Sequence, residues 1–350
     1  FKQTADIDLN NEPWTPIGIF DREAPFQGTF DGDGHQITNL KISNGGQYAG
    51  LFGYTEGAVI KSCNVTGEVN GSNYTGGIVG YADTNTKIDT NTKILNCSFQ
   101  GNVKGKGEDR GGIVGYMSGG VEVNRCYVIG TVTGYREVGG IAGYGVGTIK
   151  NCYALADVTA AGDNAGYNAG GIAGYAYGVT IENCYYSGEV SASGSAGGIA
   201  GTAWGGTIQN CVSLAESVTG SNANRIVGKS YNATLTNNHS YNRTKLVIDS
   251  KPAYPTGGAG NDVIGADVYI SNGRVMTDVP NQILFDWDAN GFTEENGWSI
   301  PTKAGKLPSL QKGTYPGLPT LPEEPVLTKK RSSSSGAATQ TYTAQFDTNG

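Results

Sequence analysis

The feature that most constrains the fold is a phrase that recurs along the middle of the chain. A glycine-rich stretch of the form Gly-Gly-Ile-Ala-Gly-Tyr is followed, after a short spacer, by Ile-x-Asn-Cys. The glycine before the central apolar residue stands at positions 50, 77, 112, 140, 171 and 198, so the copies are 27, 35, 28, 31 and 27 residues apart. The cysteines that close the copies are Cys63, Cys97, Cys126, Cys152, Cys184 and Cys211. A fixed phrase at a nearly fixed period predicts one structural unit that stacks on copies of itself.

Each unit is predicted to contain three short strands. We expect them at the glycine-rich phrase, at the phrase Thr-Ile-x-Asn-Cys-Tyr, and around a third stretch such as 188–190, because β-branched and aromatic residues there are separated by Gly and Asn. No segment has apolar residues at helical spacing over a dozen positions, and 56 glycines disfavour helices. The prediction is an all-β fold, a right-handed parallel β-helix (β-solenoid) with about three short strands per 27-residue coil and a cap at each end.

The residue before each cysteine predicts a corner. Asn recurs at this place, and Asn tolerates the left-handed backbone that a corner requires. Arg125 occupies the same place in one unit, which indicates that the side chain there points outward.

Six cysteines in one chain raise the question of disulfides. Neighbouring parallel strands lie about 4.8 Å apart, whereas the Cβ atoms of a disulfide lie about 3.8 Å apart. We therefore expect a column of buried free thiols that pack as small hydrophobic side chains. Zinc sites of the common kind need closely spaced Cys pairs, and the sequence has none.

The period also divides the chain. We assign residues 1–48 to an N-terminal cap and first coil, 49–245 to the solenoid, 246–320 to a C-terminal cap region, 321–340 to a Pro/Ser-rich linker and 341–350 to the truncated start of a following repeat. A degraded seventh copy carries Asn238 where the cysteine is expected, as is typical of a terminal repeat. The sequence starts without Met or a signal peptide, and we expect it to be a piece of a larger protein.

Charge and hydropathy bear on the partners. The chain has 24 basic and 31 acidic residues, a net charge of −7, and no basic stripe, so nucleic acid is not an expected partner. No apolar segment has the length of a membrane span, and we expect no membrane insertion in this segment. Because the repeats join most of the chain into one elongated body, we expect a monomer.

The repeated phrase resembles the GLUG motif of bacterial cell-surface proteins. The resemblance extends from about Ala49 to Ile226, residues 26–35 resemble the segment that precedes such repeats, and residues 342–350 are similar to the opening of the Listeria–Bacteroides surface repeat. It implies an extracellular, adhesin-like protein of gut or oral bacteria that is anchored by other parts of its chain and binds a host or microbial glycan or surface protein. Some proteins with this repeat are immunoglobulin A1-cleaving metallopeptidases with a separate zinc domain. Since the His-Glu-x-x-His of that domain is absent here, the protease activity is not implied.

Tyrosines are the candidate ligand-binding residues. If the repeated Ile faces inward, alternation along the strand places the Tyr three residues later outside. An exposed row of aromatic rings could hold a glycan or a partner surface. The alternative is that these tyrosines, and a second set at Tyr127, Tyr153 and Tyr185, stack on one another and seal corners. The candidates are Tyr54, Tyr81, Tyr116, Tyr144 and Tyr175.

A calcium site is the only cofactor that the sequence suggests. Asp286, Asp288 and Asn290, followed by Gly291, match the first half of a calcium-binding loop. The bidentate Glu of such a loop is replaced by Gly297, and Asp-x-Asn-Gly is also ordinary turn chemistry.

The sequence gives little support for a catalytic site. His35 and His239 lie far apart in the sequence and have no partner pattern for nucleophilic or zinc chemistry. Acidic residues recur at the third strand and would form a broken acidic ridge on one outer face, without a basic partner in register. These residues are Glu68, Asp157, Glu189 and Glu216.

The sequence therefore favours a non-enzymatic, extracellular β-solenoid segment of a surface adhesin, acting as a rigid stalk, as a binding surface, or as both. Two alternatives remain open. One is a carbohydrate-active β-helix enzyme, a lyase or hydrolase, which should show a groove with convergent Asp, Lys or Arg side chains. The other is an accessory domain of a surface metallopeptidase whose catalytic domain lies outside this segment.

Overall fold

The structure is a computed structural model. It describes residues 1–18, 24–43, 45–87, 90–162, 166–253, 258–260, 262–271, 274–278, 283–302, 304 and 306–310. All of these belong to one compact unit. The predicted linker and the predicted start of a further repeat lie outside the described residues, and the proposed domain boundaries stay predictions.

The described residues form a parallel β-solenoid of about nine turns. Three sheets run along it, which we call sheets 1, 2 and 3. In each coil the chain passes first through sheet 3, then through sheet 1 and then through sheet 2. No helix in the described part of the chain is long and apolar enough to cross a membrane. A single 3-10 turn is found there, at Asp288–Asn290.

Sheet 1 holds the glycine-rich phrase and the Thr-Ile-x phrase. Its 13 strands among the described residues are Thr29–Asp31, Phe52–Glu56, Val59–Lys61, Val79–Asp83, Lys93–Leu95, Val114–Asn124, Ala142–Lys150, Ala173–Tyr177, Thr180–Glu182, Ala200–Trp204, Thr207–Gln209, Val227–Tyr231 and Thr234–Thr236.

Sheet 2 follows the cysteine. Its 16 described strands are Ile7–Asp8, Gln36–Ile42, Asn64–Gly71, Ser98–Gly105, Tyr127–Gly134, Tyr153–Ala160, Tyr185–Ser187, Glu189–Ala192, Val212–Ser213, Ser217–Gly220, His239–Tyr241, Lys245–Ile248, Lys251–Ala253, Ala266–Ser271, Arg274–Asp278 and Ile283–Leu284.

Sheet 3 is short and precedes the glycine-rich phrase. Its six described strands are Thr75–Gly76, Arg110–Gly111, Val138–Gly139, Asn168–Gly170, Ser195–Gly197 and Asn222–Asn224.

Equivalent residues of successive coils pair directly. In sheet 1 Val123 lies opposite Ile149, Ile149 opposite Ile181, and Ile181 opposite Ile208, always in parallel. All four side chains are buried. The all-β fold and the β-solenoid predicted from the period are therefore confirmed.

The predicted division into strands is partly wrong. The phrase Thr-Ile-x-Asn-Cys-Tyr is not one strand, because the residue before the cysteine has a positive φ and turns the chain from sheet 1 into sheet 2. The strands of sheet 3 were not anticipated. The corner residues with positive φ, between 51° and 57°, are Ser62, Asn96, Arg125, Asn151, Asn183, Asn210 and Asn237.

Asparagine has a second role at these corners. The Nδ2 of Asn151 donates to the Oδ1 of Asn124 at 3.0 Å, and the Nδ2 of Asn183 donates to the Oδ1 of Asn151 at 3.3 Å. The corners are thus joined along the solenoid by side-chain amides. Arg125 instead directs its guanidinium outward, where it donates to the carbonyl oxygens of Glu295 and Asn296.

The cysteines form one interior column of buried free thiols, as predicted. The backbone N–H of Cys97 donates to the Sγ of Cys126 at 3.4 Å, and the same contact joins Cys126 to Cys152 and Cys152 to Cys184. Burial raises the pKa of the Cys97 and Cys184 thiols well above the usual range. These two thiols are therefore neutral, and they pack and hydrogen-bond within the column.

Residues 285–302 and 306–310 lie against sheet 2. The buried ring of Trp298 lies 5.6 Å from the ring of Tyr185 and 6.0 Å from that of Tyr153, and the Tyr185 hydroxyl donates to the carbonyl oxygen of Pro308 at 2.7 Å. Tyr127, Tyr153 and Tyr185 stack at 4.9 Å and are buried. This set of tyrosines is thus inside the molecule.

Candidate functional site

The five candidate tyrosines form one column on the outer side of sheet 1, which we call the tyrosine column. Ring centroids lie 4.6 Å apart between Tyr81 and Tyr116, 4.9 Å between Tyr116 and Tyr144, and 5.3 Å between Tyr144 and Tyr175, with planes within 13° of parallel. Tyr54 joins at 5.3 Å with a tilted ring. The rings are half-buried. Because neighbours cover the faces of the middle rings, edges and hydroxyl groups are what this column presents.

Glycine before each tyrosine brings this column close to another part of the solenoid. A Cβ at Gly143 would lie 2.3 Å from the backbone N of Arg110, and one at Gly174 would lie 2.5 Å from the carbonyl carbon of Glu137. Real Cβ atoms do not approach backbone so closely, so only glycine allows the contact. It sets the tyrosine column beside the corner that precedes sheet 3.

That corner carries its own row of side chains, which we call the corner column. Sheet 3 pairing aligns its members coil by coil. The first two are rings: Tyr48 stacks on Tyr74 at 5.1 Å, and Tyr74 meets Tyr116 edge to face at 5.5 Å. The next members are short and polar, so the row changes from aromatic to acidic. In order the corner column is Tyr48, Tyr74, Asp109, Glu137 and Asn168.

The acidic part of the corner column is buried. Asp109 is 6% exposed and Glu137 5%. Arg136 donates to Glu137 at 3.1 Å and to Glu108 at 2.9 Å, while the guanidinium of Arg110 donates to backbone carbonyls on the other side. Among the described residues no hydrogen bond reaches the Asp109 carboxyl group. Of the two buried carboxyl groups, that of Glu137 is therefore bound by Arg136, and that of Asp109 has no described hydrogen-bond donor.

Burial shifts the protonation of both acids. It raises the pKa of Asp109 to about 8, helped by the nearby charges of Glu137 and Glu108, and the pKa of Glu137 to about 7, against the opposing charge of Arg136. Burial and the Tyr116 ring also raise the pKa of Tyr144 to about 12. The face is therefore rich in groups that can both donate and accept hydrogen bonds near neutral pH.

A second aromatic row lies in the last three coils of sheet 1, two residues after the tyrosine position of each coil. Tyr177 pairs with Trp204, and Trp204 with Tyr231. Tyr177 is 47% exposed and Trp204 46%. The rings of Trp204 and Tyr231 lie 4.8 Å apart, and the Nζ of Lys229 lies 4.9 Å from the Tyr231 ring centroid. We call Tyr177, Trp204 and Tyr231 the aromatic strip.

Sequence reasoning missed the acidic corner and the aromatic strip. The signal for the first was the residue two places before each Gly-Gly pair, which is Tyr74, Asp109 and Glu137 in successive copies. The signal for the second was an aromatic residue two places after the Tyr position in the last copies. Neither residue recurs unchanged, so a search for a repeated phrase passes over both.

The suggested calcium loop forms a turn that uses its own oxygens. Asp286 Oδ1 accepts from the backbone N–H of Ala289 at 3.0 Å, and Asn290 Oδ1 accepts from Asn237 Nδ2 at 3.0 Å. Asp288 begins the 3-10 turn. No group of three or more His, Cys, Asp or Glu in the described part of the chain is arranged to hold a metal ion. Calcium binding stays a prediction.

The predicted acidic ridge is only partly aligned. Glu68 lies opposite Asn102, Asn102 opposite Thr131, and Thr131 opposite Asp157, as the repeat indicates. Glu216 was wrongly aligned, because Glu189 lies opposite Ser217. The register shifts because the last copy has one more residue between its cysteine and its third stretch than the copy before it.

The two histidines have ordinary structural contacts. His35 Nδ1 lies 3.2 Å from Asp6 Oδ1 at an exposed position, and the half-buried ring of His239 packs against Phe285 at 5.0 Å.

The fold and the outer face define a repeat protein whose interior serves stacking and whose surface is open to partners. A family model described as the GLUG motif matches residues 71–104 and 134–159. Halomucin of Haloquadratum walsbyi is 26% identical over 137 residues, an alignment that covers 28% of this chain and 2% of halomucin. The chain thus spans a very small part of that relative's length. The matched residues are therefore GLUG-motif repeats.

A solved structure is also similar. It is that of a Bacteroides ovatus protein provisionally named an immunoglobulin A1 protease, with a TM-score of 0.49 and 24% identity, and the match covers 77% of this chain and 75% of that one.

Proposed function

We propose that this chain is a rigid, non-catalytic segment of an adhesin-like surface protein, anchored through parts outside this sequence, that presents binding surfaces as a monomer. The observation that carries the proposal is that the residues recurring in every coil are used for stacking. The cysteines hydrogen-bond along the interior column, and the corner asparagines bond along the edge. A repeat conserved for stacking between coils supports a spacer better than a catalytic cleft.

The length of the spacer follows from the distance between successive coils. Parallel strands lie about 4.8 Å apart, so about nine turns extend roughly 40 Å along the axis. Within the three sheets each coil pairs only with its neighbours, so a coil outside the reach of the segment around Trp298 can be removed without changing the rest.

Removal of one coil tests the spacer. Leu51 and Ile78 occupy equivalent places, so deletion of 51–77, a coil with no described contact to the segment around Trp298, joins Gly50 to Ile78 in frame. Spin labels at Lys2→Cys and Lys251→Cys should then lie about 5 Å closer together, with unfolding still cooperative. Deletion of 51–63, half a coil, is the control and should abolish cooperative unfolding. A one-coil deletion that behaves like the half-coil deletion would refute the modular spacer.

The tyrosine column is the proposed contact for a glycan or a surface protein of the host or of another microbe. Its hydroxyl groups, rather than its covered ring faces, would contact the partner. Tyr116→Phe keeps the stack and removes one hydroxyl, so binding on a glycan and matrix-protein array should weaken while the melting temperature stays within about 2 °C of the parent. Binding that is unchanged in Tyr116→Phe and Tyr144→Phe would exclude the column as the contact.

One observation favours the competing class, a polysaccharide-cleaving enzyme. Glu108, Asp109, Arg136 and Glu137 converge beside the tyrosine column, and Asp109 and Glu137 have raised pKa values of the kind that a general acid needs. Incubation of the chain with a panel of polysaccharides distinguishes the classes. We expect retention without release of new reducing ends. Release that Asp109→Asn abolishes would establish the enzyme instead.

A further inference from the structure

We propose that the aromatic strip, together with Lys229, binds a saccharide chain that carries a carboxylate group. The strip lies on three successive coils, and its members occupy paired positions along the solenoid axis. This inference deepens the proposed binding role and depends on it for the extracellular setting.

The first step is that stability does not explain the strip. Other aromatic rows of this solenoid stack face to face, as Tyr116 does on Tyr144, or are covered, as Tyr185 is by Trp298. Trp204 and Tyr177 leave almost half of their surface in water. Large aromatic side chains left exposed in a row indicate a contact surface.

The second step concerns the shape of the ligand. Pyranose rings have apolar C–H faces that pack flat on aromatic rings, and their hydroxyl edges stay hydrated. A row of rings on successive coils therefore suits a chain of sugars that runs along the axis. A compact ligand would need a closed pocket with convergent polar groups, whereas the strip lies on the outer face of a sheet.

The third step concerns charge. Lys229 lies over the edge of the strip and makes no ion pair within the described part of the chain, so its ammonium group is available to a ligand anion. Two residues after the tyrosine position in earlier coils stand Glu56 and Asp83, which pair with each other in register. An anionic chain would be repelled there and attracted at Lys229. The charges thus favour binding of a carboxylated saccharide at the last coils of sheet 1, where Lys229 lies.

Matched pairs of saccharides test the proposal with the whole chain. Sialyllactose against lactose, and oligogalacturonate against a neutral galacto-oligosaccharide, differ in the carboxylate, and the two pairs distinguish a sialic acid from a uronic acid as its source. By titration calorimetry we expect at least one acidic member to bind tenfold or more tightly than its neutral partner.

Variants separate the contributions. Trp204→Ala should lower affinity for the acidic saccharide at least tenfold, and Lys229→Gln should reduce it to that of the neutral partner. Tyr135→Phe, at an exposed tyrosine outside both the strip and the tyrosine column, is the control and should leave it unchanged. Equal affinity for the acidic and neutral members, binding that ignores Trp204→Ala, or capture of proteins but no saccharide would overturn the proposal. These outcomes do not alter the label separation in the coil-deletion experiment, so failure of the strip and failure of the spacer are distinguishable.

Discussion

The thiols of Cys126, Cys152 and Cys184 each accept one hydrogen bond and donate another, and another residue type can imitate this pattern. The Sγ of Cys152 accepts from the backbone N–H of Cys126 at 3.4 Å and donates to the carbonyl oxygen of Lys150 at 3.2 Å. In the last copy Asn238 replaces the cysteine, and its Oδ1 accepts from the N–H of Cys211 at 3.1 Å. The column therefore requires an acceptor for a buried corner N–H as much as it requires a small apolar side chain.

Cys152→Ala tests this role. The variant should lose about 2–4 kcal/mol of unfolding free energy, since it leaves both a small cavity and an unpaired N–H on Cys126. Cys63→Ala is the matched control, because no described N–H donates to that sulfur, and it should lose only about 1 kcal/mol. The measurement is denaturant unfolding. Equal losses in the two variants would show that the sulfur only fills space.

Asp109 should make stability depend on pH. Its folded pKa of about 8 lies above the usual value near 4, so the folded state holds a proton that the unfolded chain releases between about pH 4 and 8. This contribution to stability is complete below about pH 4 and is lost as the pH rises through 8. Asp109→Asn mimics the protonated form, so its stability relative to the parent should increase as the pH rises from 5 to 9.

Thermal unfolding of both proteins from pH 5 to 9 checks the sign. Other carboxyl groups have lowered pKa values, such as Asp6, whose carboxylate accepts from the backbone N–H of Gln36, and Asp31 beside Lys61. Their contributions to stability change only below about pH 5, whereas Glu137 titrates in the same range as Asp109, so the difference between variant and parent is the quantity to follow. Glu68→Gln on the exposed face is the control. A difference that does not change with pH would contradict the burial of an ionisable Asp109.

At the scale of the element, close approach between sheet 1 and the corner before sheet 3 depends on glycine. Gly143→Ala would place its Cβ within 2.3 Å of the Arg110 backbone, which no side-chain movement relieves. We expect a loss above about 3 kcal/mol or failure to fold. Gly46→Ala is the control, because nothing lies within 4 Å of its added Cβ. Similar melting temperatures for the two variants would refute the close contact.

The strands that sequence analysis predicted are those whose residues repeat. The corner before Cys152 and the Ile149 ladder recur in nearly every copy, and periodicity makes their partners predictable. The strands of sheet 3 are two or three residues long and carry different side chains in each coil, from Thr75 to Asn222, so no pattern indicates them. Their positions follow from the fold, which brings the corners of successive coils into line.

The candidate site shows the same division. The tyrosine column could be predicted because Tyr116 and Tyr144 occupy one place in the phrase. Asp109 could not, since a carboxyl group there replaces the Tyr74 ring of the preceding coil. In a repeat protein, the residues that differ between coils supply its specific chemistry. Periodicity in the sequence cannot indicate these residues, because they do not recur.

For the molecule as a whole, residues 285–302 and 306–310 act as a cover for sheet 2. Phe292, Trp298 and Leu307 are buried, and Arg125 of an early coil bonds to the carbonyls of Glu295 and Asn296, so a segment late in the sequence joins the middle of the solenoid. Without it, the rings of Tyr153 and Tyr185 would be exposed along the side of the stack.

Trp298→Ala should release this cover while the coils stay paired. The loss of a buried indole costs about 3–5 kcal/mol locally, which exceeds what the remaining contacts of a short segment supply, so amide exchange in 285–302 should accelerate strongly. Exchange in Val114–Asn124 of sheet 1 should change little, because ladders between coils do not depend on the segment. Trp204→Ala, the exposed tryptophan, is the matched control and should leave both regions protected. Loss of protection in sheet 1 as well would show that the solenoid needs the segment to stay folded, and that the cover is part of its core.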